Sequence, residues 1–158
     1  MAKSTFRQWM YRGQRPNWLA RILNRVDAAL GASGVGARYG LVTLEVIGRA
    51  SGRTISLTVA IAVVNGQRYL VSMLGENVQW VKNVRAAGGR AVIHSSGREE
   101  VRLEEVPVEQ RAPILKAYVR RAPGARSHMR VNQHAPLEEF GKIAGAYPTF
   151  RIVFAGPD

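Results

Sequence analysis

From Gly40 onward the chain is a succession of short strand-like segments cut by tight-turn signals, and that pattern leaves few architectures open. Residues 41–47, 55–64, 68–74, 90–95, 98–106 and 149–154 are candidate strands, 41–47 reading as a buried strand and 55–64 being rich in Ile, Val, Leu and Thr, residues that fit a pleated, half-buried surface. Asn65-Gly66 and Ser96-Gly97 fall between consecutive segments, where hairpins want residues tolerant of positive φ. Two helical patterns interrupt the strands. One covers about 77–87, with Val78, Val81, Val84 and Arg85 on one face and Ala86-Ala87-Gly88-Gly89 closing it; the other covers about 108–121, entered by Pro107 and ended by Ala122-Pro123-Gly124. Six short strands with antiparallel turns predict a mainly β, α+β domain: a closed barrel or a tight sheet flanked by helices.

Residues 1–37 read differently, as a basic amphipathic arm ahead of a folded domain at 38–158. Trp18, Leu19, Ile22, Leu23, Val26, Ala29 and Leu30 recur at helical spacing, Pro16 and Asn17 suit a helix start, and Gly31, Gly34 and Gly36 end it. The formal net charge of the 158-residue chain is +12. Half of it lies in the first forty residues, where Lys3, Arg7, Arg12, Arg15, Arg21, Arg25 and Arg38 face only Asp27. A field of this sign concentrates anions: a phosphorylated, carboxylate-rich small molecule, an anionic lipid surface or a nucleic acid. Trp9, Met10 and Tyr11 among those basic residues suit contact with a membrane interface; packing of the apolar stripe on the domain is the alternative. No secretory signal is visible, so the expected address is the cytoplasm, with peripheral contact at the inner face of the membrane.

The chemistry concentrates in turns. Gly48-Arg49-Ala50-Ser51-Gly52-Arg53 joins the first two strands: glycines let backbone approach a ligand closely, and two arginines with a serine add donors suited to phosphate oxygens. Cysteine is absent, which excludes disulfides, thiolate metal sites and cysteine nucleophiles. His128 and His134 have no third or fourth ligand in range, so no metal is expected. His94, on an apolar strand, reads as a structural histidine, and Glu99, Glu100, Glu104 and Glu105 as the polar face of a strand and its exit.

Three motifs taken in order carry a resemblance: Gly48-Arg49-Ala50-Ser51-Gly52 between two strands; Gly75 with Trp80-Val81-Lys82-Asn83-Val84-Arg85-Ala86-Ala87-Gly88; and the closing Tyr147-Pro148-Thr149-Phe150-Arg151-Ile152. From about residue 38 to its end the sequence is similar to the deazaflavin-dependent nitroreductase family of split β-barrel flavin and deazaflavin oxidoreductases. The resemblance implies an FMN-binding-like split barrel that takes coenzyme F420, an 8-hydroxy-5-deazaflavin with a phosphate and an oligoglutamate tail, in preference to FMN. On the family pattern Arg49, Ser51, Gly52 and Arg53 hold the phosphate. Met73, Leu74 and Gly75 present backbone to the deazaflavin edge, and Trp80 and Asn83 pack on and orient the ring region. Charge alone adds Lys82 and the basic arm as partners of the tail.

The implied reaction is hydride transfer from reduced F420 to a quinone, enone or nitro acceptor, with Tyr118 and Tyr147 as candidate proton donors or substrate-orienting groups. Members of the family that carry several tyrosines in the stretch after Tyr118 differ from this chain, where Arg120, Arg121, Arg126 and Arg130 follow instead. Two other classes compete: a non-catalytic carrier of F420, a flavin or a tetrapyrrole, and a basic nucleic-acid-binding domain. The latter wants aromatic residues interleaved with Lys and Arg on an exposed sheet, and strand aromatics are few here. A homodimer is the family's expectation.

Overall fold

The computed structural model describes residues 40–122, 125, 128, 129 and 131–155. The arm expected at 1–37, and its proposed membrane contact, lie outside the described residues. Six antiparallel strands form a closed barrel in the order β1-β2-β3-β6-β5-β4: β1 Leu41–Ile47, β2 Thr54–Val64, β3 Gln67–Val71, β4 Arg90–His94, β5 Arg98–Glu105 and β6 Thr149–Phe154. Closure pairs every described strand on both sides. The described helices are α1, Gln79–Ala86, between β3 and β4, and α2, Ala112–Arg121, and α3, Leu137–Ile143, between β5 and β6.

Strand patterning follows from where each face points. β1 alternates, with Val42, Leu44 and Val46 buried. β5 does the same, sending Val101 and Leu103 inward and its glutamates outward. These side chains meet Leu70, Ile93, Phe150 and Ile152 in the barrel interior. β2 shows no clean alternation because both its faces are covered at Ile61 and Ala62 before Val63 is exposed again. Ile61 enters the barrel core, whereas Ala62 packs in a second cluster with Ile114, Leu115 and Val119 of α2 and Phe140 of α3.

Turn chemistry is local and legible. Asn65 (φ 50°) and Gly66 (φ 77°) make the two-residue connection that sets Val64 opposite Gln67. α1 ends in Gly88 and Gly89, both at positive φ, with the Gly89 amide donating to the Val84 carbonyl at 2.9 Å. Gly89 also admits no side chain, because a Cβ there would lie 2.5 Å from the Leu103 carbonyl oxygen.

Three differences from the sequence expectation have physical causes. The third strand stops at Val71, because Ser72 turns the chain: its amide donates to the Pro148 carbonyl at 2.9 Å and its hydroxyl to the Gly75 carbonyl at 2.7 Å. Met73 and Leu74 therefore sit in a loop. The helix expected over 108–121 is a single 3-10 turn, Val108–Gln110, followed by α2, whose first turn holds Pro113, where a missing N–H costs nothing. α3 was not anticipated; Gly141 weakens its propensity, and the fully buried Phe140 holds it in place.

Candidate cofactor site

The β1–β2 turn closes on itself before it offers anything to a ligand. The Gly48 amide donates to the Arg53 carbonyl at 2.8 Å, the Gly52 amide to the Gly48 carbonyl at 2.8 Å, and the Arg53 amide to Ser51 Oγ at 3.2 Å. Gly52 adopts φ 68° with open space where a Cβ would point, so conformation and not crowding selects glycine there. The amides of Ala50 and Ser51 have no hydrogen-bond partner among the described residues. Neither has the exposed Arg53 guanidinium.

Arg49 is committed differently. Its backbone N–H and its Nη1 both donate to Asn83 Oδ1, at 3.1 and 2.8 Å. Asn83 is 3 % exposed and sits mid-helix in α1, so one buried amide oxygen fastens the basic turn to the helix that carries Trp80 and Lys82. The first two sequence motifs, 34 residues apart, thus meet in a single pair of hydrogen bonds. The third motif joins through Trp80, whose ring centroid lies 5.7 Å from that of Phe150 at an interplanar angle of 55°. That tilted contact is favourable beyond the area it buries. Trp80 packs on the barrel core while remaining partly exposed, and Lys82 is half-buried.

The loop after β3 and the segment before β6 abut. Gly75 has φ 90°, and a Cβ on it would lie 3.3 Å from the Ala146 carbonyl oxygen. Met73 and Tyr147 are partly buried against the second cluster, which also contains Tyr118. Tyr118 is 4 % exposed, and burial pushes its phenol well above its usual range. It stays a neutral hydroxyl on the buried face of α2, whereas Tyr147 keeps more of its surface open.

A charged network that the sequence reading missed frames these loops. Arg111, 4 % exposed, donates through Nε to the Val106 carbonyl at 2.8 Å, and through Nη1 to the Ala144 and Tyr147 carbonyls at 3.1 and 3.2 Å. Its Nη2 reaches Glu105 Oε2 at 3.4 Å. Glu105 in turn accepts from Arg85 Nε at 2.8 Å, and Arg85 Nη1 donates to Glu76 Oε2 at 2.7 Å. The strut therefore runs from the Tyr147 carbonyl to the end of α1 and on to the loop holding Gly75. The signal was present: Arg111 shares the helical stripe of Ile114, Leu115 and Tyr118, where a charge is out of place unless it is paired.

The Arg85 hydrogen bond holds the Glu76 carboxyl below its ordinary 4.5. A carboxylate with a depressed folded value adds stability above its unfolded value, and that stability is lost as pH falls through the folded one. Glu76→Gln should therefore flatten the acid limb of the stability curve below about pH 4.5, by less than ~1 kcal/mol for so exposed a pair, as read by denaturant titrations across pH. An unchanged acid limb would show that the bond contributes nothing in solution.

Elsewhere, His94 Nε2 is buried and 3.0 Å from Glu45 Oε1 without a hydrogen-bonded partner, so the pair meets the distance of a salt bridge but not the angles of a hydrogen bond. A depression of 170 Å³ lined by Tyr69, Glu104, Gln110, Ile114 and Arg151 includes none of the predicted site residues. Among the described residues, no helix is long and apolar enough to cross a membrane.

With this geometry in place, the family model for F420H(2)-dependent quinone reductase matches residues 18–138. The chain belongs to that family. This chain thus carries the pattern of a family named for F420H(2)-dependent quinone reduction. Its barrel resembles several solved structures. A protein of unknown function from Agrobacterium tumefaciens aligns with TM-score 0.54 at 12% identity over 73% of this chain and 48% of that one. The chain thus spans about half the length of the Agrobacterium protein. A conserved hypothetical protein from Mycobacterium tuberculosis aligns with TM-score 0.54 at 17% identity over 73% of each chain. An F420-H2 dependent reductase aligns with TM-score 0.52 at 17% identity over 72% of this chain and 93% of its own. At such identities the likeness establishes the fold, a split barrel of the α+β kind. Comparison with curated proteins gives no match.

Proposed function

We propose that this reductase transfers two electrons from reduced F420 to a small electrophilic acceptor, with a quinone favoured over an enone or a nitro compound. The observation that carries the reading is the double hydrogen bond from Arg49 to Asn83, which fixes an anion-binding turn against a ring-packing helix. The residues present fit the cofactor. Arg53 and the Ala50 and Ser51 amides are uncommitted donors grouped at one turn, and Gly52 keeps the space beside them open. In this reading Arg49, Ser51, Gly52 and Arg53 hold the phosphate, and the 73–75 backbone lies along the ring edge. Trp80 shields one side of that region from water, and Asn83 keeps Arg49 oriented.

When bound, the deazaflavin supplies the hydride; the protein supplies position, desolvation and a hydrogen bond. Tyr147 is the candidate for that bond, because its carbonyl is held by Arg111 and its segment abuts Gly75. A phenol there can donate to oxygen charge developing on the acceptor. Tyr118, on the buried face of α2, serves as a wall of the same cluster. A homodimer and contact of the arm with the inner face of the membrane, where a quinone would reside, are extensions of this reading.

A fluorescence titration with oxidised F420, run beside FMN and a short DNA duplex, tests the ligand. Oxidation of reduced F420 with a soluble quinone, an enone and a nitroaromatic then tests the acceptor. Saturable binding of F420 alone and turnover fastest with the quinone are expected. Binding without turnover on any acceptor would make the protein a carrier, and preference for FMN or DNA would overturn the ligand assignment.

A further inference from the structure

The glutamates of the barrel strands are already engaged. Glu45 faces His94, Glu99 pairs with Arg68, Glu100 with Arg98, Glu104 with Arg151, and Glu105 with Arg85 and Arg111. Two strand arginines have no such partner among the described residues, and the register sets them face to face: Arg90 on β4 lies directly opposite Arg102 on β5. Both are exposed and point out of the barrel, since their neighbours Ala91, Val101 and Leu103 are buried. Like charges directly opposed across a ladder destabilise a sheet, so the arrangement works against the fold unless an anion lies between the guanidiniums.

The place of the pair is as informative as its charge. β1 and β4 pair with Thr43 opposite His94 and Glu45 opposite Val92. Continuing that register sets Ile47 beside Arg90, and Ile47 is the last residue before the Gly48–Arg53 turn. On the other side Ile47 pairs with Thr54, which follows Arg53, whose guanidinium has no partner among the described residues. Arg53, Arg90 and Arg102 thus mark one rim and the outer wall descending from it.

We propose that Arg90 and Arg102 form a guanidinium pair that takes carboxylates of the cofactor's oligoglutamate tail, continuing on the outer wall the anion site that begins at the β1–β2 turn. The assignment rests on the F420 reading above and deepens it. It places the tail across β4 and β5, and it gives the opposed arginines a counter-charge that the described residues do not provide. Arginine suits this task, because each planar fork can grip one carboxylate with two parallel hydrogen bonds.

The test compares two forms of the cofactor, one with its oligoglutamate tail and one that ends at the phosphate and its lactyl group. Fluorescence titrations at low and moderate salt give the affinity ratio between them for the wild type, for Arg90→Ala/Arg102→Ala, and for Arg98→Ala as a control on the same wall whose charge already has a partner. The wild type should favour the tailed form, most strongly at low salt. The double variant should lose about fivefold of that preference, as expected for two exposed charge pairs. Its Tm should equal or exceed that of the wild type, because a repulsive rung has been removed, and Arg98→Ala should leave the ratio where it was. A ratio unchanged in the double variant, or lost equally in Arg98→Ala, overturns the assignment while leaving the cofactor reading intact. Failure of both forms to bind the wild type overturns the two together.

Discussion

Arg49→Ala/Arg53→Ala should bind F420 about a hundredfold more weakly than the wild type while remaining folded. The estimate follows from charge: a hydrogen bond to an ionised group contributes roughly 1.5–3 kcal/mol, and each ~1.4 kcal/mol is a tenfold change in affinity. The two arginines should not contribute alike. The Arg53 guanidinium has no partner among the described residues, so Arg53→Ala removes a donor to the ligand and leaves the turn's backbone bonds in place, for about a tenfold loss. Arg49 also donates its Nη1 to Asn83 Oδ1, so Arg49→Ala loosens the turn from α1 as well. Asn83→Ala separates these contributions. It leaves both arginines in place but releases Arg49, and its effect on F420 affinity should approach that of Arg49→Ala. Fluorescence titrations on the three single variants and the double variant check this. Unchanged affinity in both arginine variants would remove the turn from the phosphate site.

Much of this fold was written in local signals. The barrel strands follow alternation in β1 and β5, and the hairpin at Asn65-Gly66 and the end of α1 at Gly88-Gly89 follow from positive φ. The elements that escaped are those whose cause lies far away in sequence. β3 stops early because Ser72 bonds to Pro148, and α3 exists because Phe140 has a cavity to fill under α2. Periodicity carries no information about either partner. The candidate site divides in the same way. Its motifs were readable, yet the bond joining them, Arg49 to Asn83, spans 34 residues and appears only once the barrel is closed. Roles for Lys82 and the basic arm came from charge alone. Charge in sequence does not show which arginines the fold has already paired, and that distinction separates Arg85, Arg98 and Arg151 from Arg53, Arg90 and Arg102.

Arg111→Met should destabilise the fold by about 3 kcal/mol, lowering Tm by about 10 °C for a domain of this size. Methionine keeps much of the length and apolar stem but offers no donors, so the Val106, Ala144 and Tyr147 carbonyls lose partners that water cannot readily replace in a site where the side chain is 4 % exposed. Glu105 is the lesser part of the loss. It is 36% exposed, keeps its bond to Arg85, and lies at 3.4 Å from Arg111. Glu105→Gln should accordingly cost under ~1 kcal/mol. Arg111→Lys retains the charge but cannot reach three carbonyls and a carboxylate from one planar fork, so it should recover only part of the stability. Because the Tyr147 carbonyl is among the groups released, Arg111→Lys should also raise the KM for the acceptor more than it weakens F420 binding. Denaturant unfolding of the variants, with acceptor kinetics on those that fold, reads both effects. A cost below ~1 kcal/mol for Arg111→Met would mean that the buried guanidinium merely offsets its own desolvation, and that the segment before β6 is held by the Ser72–Pro148 contact and the packing of Phe140 instead.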